Sequence, residues 1–278
     1  MKNIFLLIFF LVCIISTEQV FAKKIKVAIC QINCIDSDVY GNLSRIEKQV
    51  AEASKMGAKA AFFPETALIG WVNPDAYKLA DSIPGEFTKI IGEMTKKYNI
   101  IVGIGLCEKV GDRIYDSAVL IDISGEILLK HRKINILSNL MEKPYIPGKK
   151  EDITAVDTPI GRIGVMICAD SFVDEHLEIM ADRKPDFVYI PYGWAYPKEG
   201  WPEHGFQLIK TVQKASMKIG APVIGPNLVG EITHGPWKGR TYEGLSTASD
   251  GKGVLLVQGK YNKEDLMVFD IMINDVKQ

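Results

Sequence analysis

The apolar residues of this chain switch repeatedly between the two-residue period of a strand and the 3.6-residue period of a helix. The segment KIKVAICQI at 24–32 alternates as a half-buried strand does, whereas the apolar residues of 41–56 share one helical face before Gly57. Similar patterns predict further helices at 85–98, 173–182 and 205–219. Because short apolar strands separate these helices, the sequence predicts one mixed-sheet α/β domain built in layers.

Two stretches are typical of β-hairpins, because alternating runs flank a glycine turn. The first is DSAVLIDISGEILLKHRK, residues 116–133, with its turn at Gly125. The second is TPIGRIGVMIC, residues 158–168, with its turn at Gly161. After the strand PVIGPN at 222–227 we expect three more short extended segments.

The first 22 residues have the layout of a secretory signal peptide. Lys2 precedes an apolar run at 4–15, and a polar stretch and the tripeptide VFA follow it. The run is shorter than the roughly 20 residues that a membrane-spanning helix needs, and no later segment reaches that length. We therefore predict cleavage after Ala22, one domain over 23–278, and a periplasmic or secreted location, with membrane anchoring if the segment stays uncleaved.

Composition excludes some classes of partner and fold. The 33 basic and 34 acidic residues give a formal net charge of −1, and no basic stripe is present, so nucleic acid is not an expected partner. Four cysteines follow the signal segment, too few for a small domain held together by disulfides. We expect Cys30 and Cys107 to be buried as small apolar side chains.

Three reactive side chains lie where apolar strands end. The segment AAFFPE ends with Glu65, ILLKHRK ends with Lys133, and RIGVMIC ends with Cys168. Ligands of open α/β sheets bind at the carboxyl ends of the strands, so these three residues could meet there although they are far apart in sequence. Taken singly, Glu65 could cap backbone N–H groups, Lys133 could be solvated and Cys168 could fill the core.

A cysteine nucleophile needs a base, because a thiol with a pKa near 8.5 is mostly protonated at neutral pH. The four histidines show no pairing with Cys168, and no zinc-ligand motif is present. A carboxylate can act as the base when burial and a neighbouring cation tune it. Glu65 and Lys133 would supply that pair.

With these residues in order, the sequence resembles the nitrilase superfamily of carbon–nitrogen hydrolases. The matching motifs are FPETALIGW around Glu65, HRKINIL around Lys133 and GRIGVMICADS around Cys168, and the likeness extends from KVAICQIN to GLSTASDGKGVLL. The resemblance implies a four-layer α-β-β-α sandwich that pairs into a homodimer or a larger homo-oligomer. It also implies a small-molecule amide as substrate and no cofactor or metal.

The resemblance also assigns roles to individual residues. Glu65 is the implied general base, Cys168 the nucleophile, and Lys133 the cation that stabilises an oxyanion together with the backbone N–H of Ala169. Glu142, in MEKPYIPG, falls where many members keep a second active-site glutamate, although it could be a solvated loop acid. Many members carry an aromatic residue after the cysteine, where this chain has Ala169, which leaves the subgroup and substrate size open.

The loop YIPYGWAYPKEGWPEHG at 189–205 would overhang the same edge. Its Tyr192 and Trp194, with Tyr196 and Trp201, could form the walls of a substrate pocket or simply pack on the sheet. No arginine of this loop marks a carboxylate partner, so a simple amide, an ω-amide and an N-carbamoyl amine stay open. A nitrile is less favoured, because true nitrilases usually carry tryptophan after the nucleophile.

The leading interpretation is an exported amidase-type hydrolase, and three alternatives stay open. An acyltransferase would pass the acyl group to an amine instead of water. A non-catalytic binding module could keep the fold, although all three triad residue types are present. A glycosidase with Glu65 and Glu142 as paired acids would leave Cys168 and Lys133 without a role.

Overall fold

Two six-stranded sheets pack face to face, and helices cover the outer face of each. The computed structural model describes residues 21–141 and 143–275. In chain order the strands are β1 (Phe21–Gln31), β2 (Ala60–Phe62), β3 (Ile101–Val110), β4 (Arg113–Ile121), β5 (Ile127–Arg132), β6 (Ala155–Thr158), β7 (Gly161–Val165), β8 (Phe187–Tyr189), β9 (Ala195–Tyr196), β10 (Val223–Gly225), β11 (Val229–Glu231), β12 (Thr241–Glu243), β13 (Thr247–Ser249), β14 (Leu255–Gln258) and β15 (Asp265–Asp275). The α-helices are α1 (Val39–Lys55), α2 (Ala76–Leu79), α3 (Glu86–Tyr98), α4 (Asp174–Asp182) and α5 (Glu203–Ile219).

Both large sheets mix parallel and antiparallel strands. The first has the order β15-β1-β2-β3-β4-β5, and the second has the order β14-β13-β10-β8-β7-β6. In each sheet three adjacent strands run parallel, β1-β2-β3 in the first and β7-β8-β10 in the second. A small sheet of order β11-β12-β9 lies apart from them. Helices α1 and α3 pack on the first large sheet and α5 packs on the second, with α4 against α5. The predicted four-layer α-β-β-α sandwich is confirmed.

Aromatic side chains join the two large sheets. The Phe62 ring of β2 meets Phe187 of β8 edge-on, with ring centroids 6.0 Å apart, and lies 5.1 Å from the ring of Tyr189. All three side chains are fully buried. The Tyr189 hydroxyl donates a hydrogen bond to the carbonyl oxygen of Phe63, which fixes the β2 edge against β8. The ends of strands from both sheets are therefore held at one place.

The four predicted helices are confirmed to within two residues at each end. The helix predicted over 41–56 is α1, which begins one residue after Asp38, whose side chain accepts a hydrogen bond from the N–H of Gly41. The two predicted hairpins are the antiparallel pairs β4-β5 and β6-β7. The expectation of three extended segments after β10 was wrong, because five strands follow it. Three of these have only three residues, too few to show a period.

The predicted signal segment lies almost wholly outside the described residues. Strand β1 begins at Phe21, so the predicted cleavage after Ala22 falls two residues inside this strand. Among the residues described, none of the helices combines the length and the apolar character required to cross a lipid bilayer. Cys30 and Cys107 are free and buried, as expected, and so is Cys34.

Candidate active site

Glu65 and Lys133 form an ion pair at one edge of the first large sheet. Glu65 lies three residues after β2, and Lys133 follows directly after β5. The Lys133 Nζ donates a hydrogen bond to Glu65 Oε1, and both side chains are at most 1% exposed. Gly105 of β3 allows this arrangement, because a Cβ at that position would lie 2.6 Å from the Glu65 Cα. The structure thus brings two of the three predicted residues into contact.

Cys168 lies on a sharp turn just beyond β7. Its φ of +42° is in the left-handed region, which is rare for a residue with a side chain and indicates a backbone held by its surroundings. The Cys168 N–H donates to the carbonyl of Pro191 at 2.9 Å, which ties the turn to the segment after β8. The turn continues as a 3₁₀ helix over Cys168–Phe172.

Asp170 connects this turn to the segment that carries Lys133. Its carboxylate accepts hydrogen bonds from the N–H groups of Ile134 and Asn135, both at 2.8 Å, and lies 2.9 Å from His131 Nε2. Although burial raises the pKa of Asp170, these donors, with His131 first, lower it to below its ordinary value. The fully buried carboxylate therefore stays ionised and fixes one reactive segment against the other.

The second oxygen of Glu65 points to the segment that faces the thiol. Glu65 Oε2 is buried and has no hydrogen-bond partner among the described residues. It lies 3.0 Å from the point where a Cβ on residue 193 would stand, so a side chain there would crowd this oxygen. Gly193 and Cys168 in turn line the same small cavity. One oxygen of Glu65 is thus held by Lys133, and the other is available beside the thiol.

Burial keeps the Cys168 thiol protonated at rest. Desolvation, followed by the negative charge of Glu65, raises the pKa of Cys168 well above its ordinary value, although Lys133 and the Gly193 N–H act in the opposite direction. Burial also lowers the pKa of Lys133, but the neighbouring acids, with Glu65 first, raise it above its ordinary value. The site therefore holds a neutral thiol next to a charged ammonium, and activating the thiol requires a base.

Asp116 is a further acid of the site that sequence reasoning missed. Its Oδ2 lies 3.4 Å from Lys133 Nζ, and its carbonyl accepts the Lys133 N–H at 2.8 Å. Burial and then the charge of Glu65 raise the pKa of Asp116 well above its ordinary value, so both favour its protonated form. In that form Asp116 leaves the Lys133–Glu65 ion pair with one positive and one negative charge.

A small cavity of about 180 Å³ opens onto Cys168. Most of its lining residues are aromatic or otherwise apolar, with one histidine and one arginine: Trp71, Leu137, Cys168, Phe172, Gly193, Trp194, Ala195, Tyr196, His204, Trp237 and Arg240. Two of the loop aromatics considered above, Trp194 and Tyr196, therefore face this cavity. Strands β9 and β12 of the small sheet carry the wall that contains Tyr196. Arg240 comes from the loop before β12, which sequence reasoning had not connected with the site.

Tyr192 is placed differently from Trp194. It is fully buried and lies within hydrogen-bond distance of Ser171 Oγ, at 3.0 Å, while the Ser171 hydroxyl donates to the Cys168 carbonyl at 2.7 Å. Its side chain thus supports the turn of the nucleophile instead of lining the cavity. Trp201 packs edge-on against Tyr261, with ring centroids 5.0 Å apart.

Two predicted site groups remain as predictions. Ala169 is fully buried next to Cys168, and Asn135 Nδ2 donates to its carbonyl at 3.0 Å, which fixes the peptide after the predicted oxyanion donor. Glu142 lies outside the described residues. Within 21–141 and 143–275, no group of three or more His, Cys, Asp or Glu side chains is placed to bind a metal ion.

The burial of Cys168 predicts a size-dependent thiol reactivity. Its side chain is 6% exposed and opens only into the small cavity, so iodoacetamide should alkylate it, whereas a bulky maleimide should react at least about tenfold more slowly. Intact-protein mass spectrometry of the native protein measures both rates. Cys168→Ala is the control, and the protein from Lys23 onward should then take up neither reagent, because its other cysteines are buried too. Equal labelling by both reagents would contradict a closed cavity.

The raised pKa of Asp116 predicts a pH-dependent stability. The folded state binds this proton more tightly than the unfolded chain, so the stability it contributes is complete below the unfolded pKa of about 3.9 and is lost as pH rises toward the folded pKa. Asp116→Asn keeps a neutral side chain throughout. Its free energy of unfolding, relative to wild type, should increase above pH 4 by up to about 1.4 kcal/mol per pH unit.

Urea unfolding between pH 4 and pH 8 measures this difference. Asp112→Asn, in the exposed turn between β3 and β4, is the matched control and should show a difference that does not vary with pH. The same constant difference for Asp116→Asn would mean that Asp116 is charged in the folded protein.

The chain is similar to known proteins in its sequence and in its fold. Residues 26–278 match the family model described as carbon-nitrogen hydrolase. The chain is 31% identical over 187 residues to a chloroplastic omega-amidase of Arabidopsis thaliana, covering 60% of this chain and 48% of that protein. It is 30% identical over 177 residues to a nitrilase of Pyrococcus abyssi, covering 62% of this chain and 66% of that protein. The chain thus matches about half to two thirds of the length of these two relatives.

A match to an omega-amidase of Mus musculus is longer, at 26% identity over 250 residues, covering 87% of this chain and 85% of that protein. Among solved structures, an amidase from Nesterenkonia sp. superposes with a TM-score of 0.77 at 18% identity, covering 92% of this chain and 94% of that one. A carbon-nitrogen hydrolase from Helicobacter pylori gives 0.77 at 19% identity and covers 89% of each chain. These structures show the shared fold, and with the family match they establish that the chain belongs to the carbon–nitrogen hydrolase family of the nitrilase superfamily.

Proposed function

We propose that the protein is an amidase-type hydrolase that cleaves a small amide through a thioester on Cys168. The observation that carries this proposal is that the two carboxylate oxygens of Glu65 have different surroundings. One of its oxygens is held by Lys133, and the other is buried, unpartnered within the described residues and next to Gly193, which lines the cavity of Cys168. A neutral thiol needs a base in that position.

Acylation uses the three residues together. Glu65 takes the thiol proton as the Cys168 sulfur attacks the amide carbon, and the carbonyl oxygen becomes an oxyanion. The Lys133 ammonium and the N–H of Ala169 stabilise this charge, and they do so strongly because the site is buried. Glu65 then gives its proton to the departing amine, the carbon–nitrogen bond breaks, and a thioester remains.

Deacylation reuses the same base. Glu65 takes a proton from water as the water oxygen attacks the thioester, and the carbon–sulfur bond breaks. Glu65 returns the proton to the Cys168 sulfur, so the enzyme is restored and a carboxylic acid is released. The Lys133–Glu65 ion pair keeps the carboxylate oriented through both halves of the reaction.

The cavity favours a small substrate. Its volume of about 180 Å³ is below the range of roughly 300 to 1,000 Å³ that drug-sized ligands occupy. The names of the relatives, which include omega-amidase, nitrilase and citrullinase, indicate amides, nitriles and ureido compounds as substrates of those proteins. We place this chain with the amide hydrolases.

We further propose that the protein is exported and acts as a homodimer or larger homo-oligomer. Export is supported by the sequence of the first 22 residues, with a basic residue, a short apolar run and a small residue before the predicted cleavage site. The oligomer is an expectation from the family resemblance. Exported protein would face an oxidising compartment, where the burial of Cys168 would limit its oxidation.

Ammonia release from a panel of compounds tests the function. Purified protein should release ammonia from at least one class among primary amides, ω-amides, N-carbamoyl amines and nitriles, and the activity should fall by at least about 10³-fold in Cys168→Ala, because no thioester can form. Arg113→Ala, at the exposed first residue of β4, is the surface control. Activity that persists in Cys168→Ala would overturn the thiol mechanism. The absence of ammonia release from every compound of the panel would favour acyl transfer or a binding role.

A further inference from the structure

The cavity that holds Cys168 contains a guanidinium that the proposed hydrolysis does not use. Arg240 lines this cavity and is half-buried. It also lines a neighbouring cavity of about 960 Å³, which shares Trp237 with the first. Arg240 thus lies between the reacting thiol and a larger opening.

Arg240 has no acidic partner among the residues described. The ion pairs formed by arginines in that part of the chain engage Arg45, Arg132 and Arg162. The other cationic candidate in the cavity, His204, is already engaged, because its Nδ1 lies 2.7 Å from Glu243 Oε2. A half-buried guanidinium carries its charge at all ordinary pH values and offers five N–H donors, which makes it suited to a planar anion.

The loop around Arg240 holds the guanidinium in place. The Cζ atom of the guanidinium lies 4.0 Å from the centroid of the Trp237 ring. The backbone N–H of Arg240 donates to the backbone carbonyl of Trp237 at 3.0 Å. Trp237 meets Trp71 edge-on, with centroids 4.5 Å apart, and Trp71 lies 5.1 Å from Lys133 Nζ. Asp36 fixes the start of the loop by accepting from the N–H of Thr233 at 2.7 Å. The guanidinium is thus connected by packed rings to the catalytic lysine.

We propose that Arg240 binds a carboxylate of the substrate and so selects amides that carry an anionic group. This inference rests on the amidase function proposed above for the same cavity. Since the cavity is small and otherwise mostly aromatic, the amide and the carboxylate belong to one short molecule, such as the monoamide of a short dicarboxylic acid. Arg240 is a specificity-determining residue here, because it would contact the substrate away from the reacting carbon.

A matched set of three amides tests this selection. Succinamate, butyramide and 3-aminopropanamide have similar size and the same amide, with a carboxylate, a methyl group and an ammonium at the other end. Wild-type kcat/KM should be highest for succinamate and lowest for the cation. In Arg240→Met the ratio of succinamate to butyramide should fall by about 10- to 100-fold, since a charge-assisted hydrogen-bond pair is lost.

Two further variants control for folding and for general charge. Arg240→Lys keeps the positive charge but loses the planar guanidinium. Its ratio of kcat/KM for succinamate to kcat/KM for butyramide should therefore lie between those of wild type and Arg240→Met. Lys238→Ala removes a nearby exposed cation of the same loop that does not line the cavity, and its ratio should equal that of wild type. An unchanged ratio in Arg240→Met, or an equal loss in Lys238→Ala, would overturn the proposal.

Protection of the thiol separates this proposal from the hydrolase activity itself. Alkylation of Cys168 by iodoacetamide should be slowed by succinamate more than by butyramide in wild type, and this difference should vanish in Arg240→Met. If no amide is hydrolysed but this protection is seen, the carboxylate anchor stands and the proposed function fails. Equal protection by the two amides in wild type would overturn the anchor whatever the activity.

Discussion

The buried ion pair between Lys133 and Glu65 is the interaction on which the rest of the site depends. An ammonium that is 1% exposed is costly to bury without a partner, and Glu65 is the carboxylate that compensates it. This contact occupies one oxygen of Glu65 and leaves the other for the thiol. Asp116, 3.4 Å from Lys133, is a second acid beside the pair, and burial and the charge of Glu65 raise its pKa.

The sandwich brings this pair close to Cys168 by stacking two sheets. Glu65 and Lys133 follow strands of the first sheet, whereas Cys168 and Gly193 follow strands of the second. Rings packed between β2 and β8 hold the sheets together close to these strand ends. The hydrogen bonds of Asp170 then connect the lysine segment to the cysteine turn. Distances within the site are therefore set by packing between layers, and residues 68 and 35 positions apart in sequence can act together.

The sequence contained the reactive residues but not all of their neighbours. Glu65, Lys133 and Cys168 were predictable because each interrupts an apolar strand at its end, and the four helices because each carries a clear 3.6-residue period. Asp116 was not predictable in this way, since it lies inside β4 and its partner is fixed by the pairing of β4 with the segment after β5.

Other features depend on long-range contacts that a pattern does not contain. Arg240 reaches the cavity because the β11–β12 loop folds over it, and its neighbours in sequence give no sign of this. Tyr192 and Trp194 are two residues apart in one loop, yet the first turns into the core and the second into the cavity. Their direction depends on the small sheet, whose strands of two or three residues are too short to be recognised from the sequence.

Acid-quenched reactions with a hydrolysed amide test most directly whether a covalent thioester forms on Cys168. Intact and peptide mass spectrometry should find the acyl group on the peptide that contains Cys168, and added hydroxylamine should divert the product to a hydroxamate while ammonia release continues. Ammonia release with neither an adduct on Cys168 nor a hydroxamate would mean that water attacks the amide directly, and would contradict the account.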